Sequence, residues 1–245
     1  MSLNIENIKK TKSNLNYPSQ LFINGKYQKS ISEKSFENIS PIDGSIVNQV
    51  FFAEQEDIDL AVSKAKETFN KGYWSNLSPG ERKKILLKFA ILLERDRLEL
   101  SLLDTIDMGK TINDTYNADL PTSIDNIEWY AEIIDKLFDD ISPSSKEYLG
   151  LITKEPIGVV AAIVPWNYPL WMAIWKIAPA LITGNSVILK PAEQSPMSAI
   201  KIGALLSEAG VPDGVFSVLP GDGPITGKSL CLHNDIDCVA FTGSG

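Results

Sequence analysis

The chain has one histidine, His233, and two cysteines, Cys231 and Cys238, among 245 residues. A metal centre of three or four soft ligands cannot be built within one chain from that set. Cys231 falls in a predicted helix and Cys238 opens an apolar strand, so both are expected to be buried small hydrophobes, not exposed and activated thiols. Positive charge is also scarce, with 23 Lys and Arg against 31 Asp and Glu and a formal charge of −8. A nucleic-acid groove needs clustered Lys and Arg and is not expected. Long uninterrupted apolar runs are missing too: the stretch from Val159 to Leu181 is broken by Pro165, Asn167, Pro169 and Lys176, which reads as core and not as a membrane span. The N-terminus is rich in Asn and Lys and lacks the apolar segment of a secretory signal. A cytoplasmic protein is the expectation.

What is present is an ordinary globular composition, 44% hydrophobic and 22% charged, enough for one large or two small domains. Residues 1 to about 19 are polar and aperiodic and are expected to wrap a neighbour or fray. Leu21-Phe22-Ile23 and Lys26-Tyr27-Gln28 flank Asn24-Gly25, a strong hairpin signal because both central residues of a type I′ turn need positive φ. A second strand pair, Ser35 to Ile39 and Ile46 to Phe52, brackets the turn residues Pro41-Ile42-Asp43-Gly44.

From Glu54 the apolar period lengthens from two to 3.6. Ile58, Ala61, Val62, Ala65 and Phe69 form one stripe behind an acidic first turn. Ser78-Pro79-Gly80-Glu81 has the cap, the early proline and the Glu three residues on that open a helix, with Ile85, Leu86, Phe89, Ala90 and Leu93 facing the core. Arg97 to Met108 is a further helix stopped by Gly109. Pro121 is expected to divide the next stretch, leaving a helix from about Thr122 to Phe138 that carries Trp129 and Tyr130.

The second half alternates short β-branched runs with helical periods. Val159 to Val164 is a strand buried on both faces, and Pro165-Trp166-Asn167 ends it. Leu170, Ile174, Ile177, Ala178 and Leu181 then recur at helical spacing up to Gly184. Ser186 to Lys190 is a second strand. Ser195-Pro196 is expected to cap a helix presenting Met197, Ile200, Ile202, Leu205 and Leu206 and ending at Gly210. Val215 to Leu219, Ile225 to Leu232 and Cys238 to Phe241 read as strand, short helix and strand. Such alternation means a parallel, Rossmann-like α/β sheet with right-handed crossovers. The turn after a strand's carboxyl end is where ligands bind in an open α/β sheet, which puts Trp166 and Asn167 where chemistry is done. An amide there can donate to a developing oxyanion. A buried unpaired amide is unfavourable, so Asn167 is expected to be kept for use. The usual G-x-G-x-x-G turn is absent after the first strand, so an ordinary pyrophosphate cradle is not available there.

Four ordered blocks, Pro165-Trp166-Asn167-Tyr168-Pro169-Leu170, Trp175-Lys176-Ile177-Ala178-Pro179-Ala180-Leu181, Val187-Ile188-Leu189-Lys190-Pro191-Ala192-Glu193 and Phe241-Thr242-Gly243-Ser244, together resemble the NAD(P)-dependent aldehyde dehydrogenases. The similarity runs in order from about Leu21 to the last residue. Within that superfamily, Leu21-Phe22-Ile23-Asn24-Gly25 and His233-Asn234-Asp235-Ile236-Asp237 are most similar to the γ-glutamyl-γ-aminobutyraldehyde dehydrogenases of putrescine breakdown, followed by the betaine and aminoaldehyde dehydrogenases.

The resemblance implies a function and a division of the chain. Residues 1–53 would be an N-terminal extension with hairpins and 54–141 the helical part of a cofactor domain. Residues 142–157 would be a bridging strand of the oligomerisation region, and 158–245 an incomplete Rossmann-like NAD-binding portion. Lys190 and Glu193 would contact the adenosine ribose, and the Glu carboxylate would disfavour a 2′-phosphate, so NAD is favoured over NADP. Read on their own, these two residues are equally well a solvated ion pair. Gly223 and Gly227 would admit the adenine side, and Ser244 would meet the pyrophosphate. Val164, Pro165, Trp166, Phe241 and Gly243 would complete the cofactor contacts. Trp175 and Asp119 would border the substrate tunnel, with Tyr116 and Trp129 at its entrance. Trp166 and Trp175 read without the resemblance are simply core aromatics. Lys176 would orient Asn167.

In the family reaction a cysteine thiolate attacks the aldehyde, the Asn amide holds the oxyanion, hydride passes to the nicotinamide, and a glutamate activates water. Only the amide, Asn167, has a counterpart here. The nucleophile and the glutamate belong to segments after Ser244, Gly245 replaces the expected threonine, and Cys231 and Cys238 precede that run. The expectation is therefore a piece of a larger homodimeric or homotetrameric enzyme acting on a small aldehyde and inactive alone. A non-catalytic nucleotide-binding or subunit-interaction fragment is the competing reading.

Overall fold

A computed structural model describes residues 3–243; Ser244, expected at the pyrophosphate, lies outside them. The chain opens not as a frayed tail but as helix α1 (Ile5–Ser13). Local signals missed by apolar periodicity explain it. The Asn4 side chain accepts from the Asn7 N–H at 2.7 Å, Glu6 sits in the first turn, and Lys10 and Lys12 sit in the last, so both helix ends are capped or charge-matched.

The Asn24-Gly25 turn has φ of 50° and 76° and joins β1 (Leu21–Ile23) to β2 (Lys26–Gln28). β3 (Ser35–Ile39) and β4 (Ile46–Phe51) form a separate antiparallel pair. Then come α2 (Gln55–Asn70), α3 (Pro79–Arg95) and α4 (Arg97–Met108). The capping box between Ser78 and Glu81 is formed, and Gly109 closes α4 at φ 72°.

Pro121 does not divide the next segment. α5 (Ile112–Asp114), a π-helical turn (Thr115–Asp119) and α6 (Leu120–Ile133) run on continuously, and a 3₁₀ turn ends at Lys136, short of Phe138. The π turn supplies the reason. Proline next to the start of a fresh α segment falls where its missing N–H is not required, so the helix passes through it. β5 (Asp140–Ser142) and β6 (Gly150–Ile152) make a two-stranded hairpin of their own, beginning two residues before the expected bridging segment.

The remaining elements are β7 (Val159–Ile163), α7 (Pro169–Ile182), β8 (Ser186–Lys190), α8 (Met197–Ala209), β9 (Phe216–Val218), a π turn (Gly223–Gly227) leading into α9 (Lys228–Leu232), and β10 (Cys238–Phe241). They assemble one sheet in the order β10-β7-β8-β9-β1-β2. The first four strands are parallel, and β1 adds antiparallel to β9. The N-terminal hairpin thus extends the cofactor-type sheet.

Every residue of β7 and β8 is buried, and alternation sorts them between two layers. Val160, Ala162, Val187 and Leu189 pack against α3, α6, α7 and α8. Val159, Ala161 and Ile188 pack against Ile58, Ala61, Val62 and Ala65 of α2. The carboxyl end of α7 is pinned from outside: Trp74 Nε1 donates to the Leu181 carbonyl at 2.8 Å and Arg82 Nε to the Ile182 carbonyl at 2.8 Å. These bonds satisfy carbonyls that a helix end leaves open.

Two further expectations are corrected. Cys231 and Cys238 are both exposed: α9 turns Cys231 outward, and β10 pairs only with β7 among the described residues, leaving Cys238 on an uncovered edge. Ser195 does not cap α8; its hydroxyl donates elsewhere, as described below.

Candidate functional site

Parallel register brings three loops to one edge. Ile163 pairs with Lys190 on one side and with Phe241 on the other. The segments leaving β7 (Val164 to Asn167), β8 (Lys190 to Glu193) and β10 (Phe241 to Gly243) therefore emerge side by side at the carboxyl end of the sheet. The Val164 N–H donates to the Lys190 carbonyl at 3.1 Å, and the Thr242 N–H to the Ile163 carbonyl at 3.0 Å, extending the ladder by one residue on each side. The edge lies at the sheet's crossover point, where this class of fold binds ligands.

Within that edge the polar groups are unequal. Lys190 is 3% exposed, and among the described residues its ammonium has one hydrogen-bond partner, Glu193 Oε2 at 3.5 Å. Burial lowers its pKa, opposed by the carboxylates of Glu193 and Asp222. A buried ammonium with a single long contact keeps donors free, which does not describe a solvated surface pair. Asp222 also precedes the Gly223–Gly227 turn. Asp222 opens that turn by accepting from the Ile225 N–H at 2.7 Å, and a side chain on Gly223 would meet open space.

Asn167 is exposed and makes no side-chain hydrogen bond among the described residues; the premise that it is a buried amide is corrected. The reason is local. Pro165 to Tyr168 leaves the sheet before α7 begins, so the turn projects beyond the packed layers. Trp166 and Trp175, at 55% and 51% exposure, are not core aromatics. Lys176 is half-buried with its pKa lowered by desolvation, and it has no hydrogen bond to Asn167. Pro165 is half-buried, Val164 buried and Phe241 exposed. A side chain on Gly243 would strike the Phe241 ring at 2.7 Å.

The residues expected at the substrate entrance separate. Trp129 is exposed on α6, whereas Tyr116 and Asp119 are buried. Asp119 is held by Lys110 Nζ at 2.6 and 2.8 Å, so its carboxylate is already neutralised. Lys110 Nζ also lies 3.9 Å from the centroid of the Tyr168 ring. That ring stands edge-on to Trp171 at 5.2 Å, and Trp171 is followed by Trp175 at 6.3 Å.

Sequence reasoning missed the support beneath these loops. Asp107, at the end of α4, accepts from the Met197 N–H at 2.9 Å and from Asn38 Nδ2 at 2.7 Å, capping α8 in place of Ser195. Asp104 is fully buried, and its pKa is pushed up to about 7 by desolvation. The Ser198 hydroxyl and the Leu170 N–H pull it down but do not close to hydrogen-bond geometry. The sequence signal was a pair of carboxylates, Asp104 and Asp107, three apart on one side of α4.

A parallel sheet with helices on both faces, carrying a buried lysine, a glutamate and an exposed aromatic–amide turn at its carboxyl edge, defines an open, Rossmann-like α/β fold. Comparison with known proteins narrows this. Residues 27–245 match the aldehyde dehydrogenase family, and the chain belongs to that family. It is 46% identical over 226 residues to the NADP/NAD-dependent aldehyde dehydrogenase PuuC of Escherichia coli K12, covering 92% of this chain and 46% of that protein. It superposes on the γ-glutamyl-γ-aminobutyraldehyde dehydrogenase of Burkholderia cenocepacia with a TM-score of 0.96 at 45% identity, covering 99% of this chain and 49% of that one. A variant of the indole-3-acetaldehyde dehydrogenase AldA of P. syringae, solved with NAD+ and IAA, gives 0.97 at 47% identity, covering 99% and 49%. The chain spans about half the length of these relatives. Among the described residues no helix is long and apolar enough to cross a membrane.

Proposed function

We propose that this chain supplies the dinucleotide pocket and the oxyanion-holding amide for NAD-dependent oxidation of an aldehyde to its carboxylic acid. The substrate class is an amino- or γ-glutamyl-aminoaldehyde, with betaine aldehyde as the alternative. The observation that carries the reading is Lys190, a buried ammonium with unused donors beside Glu193, on the same sheet edge as the exposed Trp166–Asn167 turn.

The residues present fit the cofactor. Lys190 would donate to, and Glu193 accept from, vicinal hydroxyls of a ribose, and Gly223, where an added side chain meets nothing within 4 Å, would leave room for backbone approach. A carboxylate at Glu193 repels a phosphate at the 2′ position, which favours NAD over NADP. When bound, the nicotinamide supplies the hydride acceptor. Val164, Pro165 and Trp166, with Phe241, Gly243 and Ser244, would border it, and Gly227 would line the adenine side. Asn167, free of internal partners, donates its amide N–H to the oxygen on which charge develops. Neither Cys231 nor Cys238 belongs to this edge motif, so these 245 residues are not expected to turn over aldehyde alone. We also propose a cytoplasmic location and a homodimer or homotetramer for the enzyme. The β5–β6 hairpin supports assembly, since Ile141, Leu149 and Leu151 on it are each at least 65% exposed.

Isothermal titration tests the pocket. NAD should bind, Lys190→Met should weaken it by about tenfold or more, and Glu193→Gln should narrow the preference for NAD over NADP. Absence of NAD binding by the folded wild-type chain would remove the reading. A second reading, a nucleotide-binding or subunit-interaction module without catalysis, is favoured by the same exposed hairpin; it predicts NAD binding with no NADH formation even when the chain is joined to the remainder of an enzyme.

A further inference from the structure

The connection between α4 and α6 meets the amide-bearing turn where Lys110 faces Tyr168, and that contact has no role in the pocket described above. Lys110 follows the left-handed Gly109 and reaches Asp119 on the π turn at 2.6 and 2.8 Å. The Asp119 side chain is 4% exposed, so the pair is geometrically fixed and not a mobile surface bridge. The same ammonium sits 3.9 Å over the face of Tyr168. Cations are attracted to that face by the ring quadrupole, and more strongly where water is partly excluded.

Tyr168 adjoins Asn167 and is the N-cap of α7. It offers no side-chain cap to that helix, and its backbone, at φ −144° and ψ 69°, lies outside the helical and extended regions. With Asn167 exposed and unbonded, the turn has few internal restraints. The Ser195 hydroxyl holds the Trp166 carbonyl on one side of the amide, and the Lys110 contact holds the ring on the other.

We infer that Lys110 is a positioning residue: fixed by the buried Asp119 carboxylate, it holds the Tyr168 ring and thereby sets the placement of the neighbouring Asn167 amide. The catalytic value of that placement rests on the proposed role of Asn167, whereas the mechanical claim does not. The π turn acquires a function here, because the extra residue in its loop delivers Asp119 to the buried side of Lys110. Asp119 is then a partner of the protein's own lysine and not a receptor for a substrate ammonium.

Hydrogen exchange on the chain as it stands tests the mechanical claim. Lys110→Met and Tyr168→Leu should each speed exchange of the Met172 amide, which donates to the Tyr168 carbonyl at 2.9 Å, by about tenfold at pH 7, and the double variant should be no faster than either single one. Lys110→Arg and Tyr168→Phe, which keep the cation and the ring, should match the wild type. If Lys110→Met fails to fold, Lys110→Met combined with Asp119→Asn removes both charges and is read by the same criterion. Additive effects in the double variant, or faster exchange spread evenly over α4 to α6 with the turn no more affected, would overturn the inference. NAD titration of the same variants keeps the two claims apart: loss of the pocket shows in the wild type, and failure of the positioning role shows only in the exchange rates.

Discussion

The hydroxyl of Ser195 donates to the carbonyl of Trp166 at 3.2 Å across 29 residues of sequence. Ser195 is fully buried in the loop after β8, and Trp166 begins the turn after β7. Together with the Val164 N–H donating to the Lys190 carbonyl at 3.1 Å, this bond ties the loop bearing Lys190 and Glu193 to the loop bearing Asn167.

Replacing Ser195 with Ala should remove that tie and leave the partly buried Trp166 carbonyl without its hydroxyl partner. The expected loss is about 1 kcal/mol of stability, measured by urea denaturation, together with a several-fold weaker NAD affinity by titration. A stability change without any change in affinity would show that the two loops keep their spacing unaided.

Asp104 should make stability depend on pH with a definite sign. Its folded-state pKa is raised by burial from 3.8 to about 7, so between those values the folded chain binds more protons than the unfolded one. The contribution is fully present below pH 3.8 and is lost as pH rises through about 7. Asp104→Asn, which carries no titratable proton, should flatten the decline between pH 5 and pH 8 by on the order of 1–3 kcal/mol. Equal slopes for the two proteins in urea titrations at those pH values would reject the assignment.

Gly203→Ala should destabilise the chain although alanine is the better helix former. A β-carbon at 203 would stand 2.6 Å from Cγ of Phe22, within the contact where β1 docks on α8. Overpacking at such a site is expected to lose about 1–3 kcal/mol. Unfolding midpoints should fall, and adding Phe22→Leu should recover part of the loss.

Much of the architecture was legible because it rests on short-range rules. Asn24-Gly25 sets a type I′ hairpin through its own φ preferences, Ser78 and Glu81 close a capping box three residues apart, and the β-branched run from Val159 admits little besides a doubly buried strand. The failures have a common cause. Asn4 caps a helix whose apolar periodicity is weak, Pro121 is tolerated because a π turn precedes it, and Ser195 looks like a cap until a distant carbonyl and Asp107 divide its expected role between them. In each case the deciding partner or local geometry lay outside the pattern being read.

The sequence alone determined the elements, their alternation, the four blocks of family resemblance and the identities of Lys190, Glu193 and Asn167, since these follow from side-chain chemistry and near-neighbour spacing. Tertiary structure decided which groups are buried and which are free. It left Asn167, Trp166, Cys231 and Cys238 exposed, desolvated Lys190 and Asp104, and turned Asp119 toward Lys110. Burial depends on what folds over a residue from elsewhere in the chain, and local spacing carries no record of that.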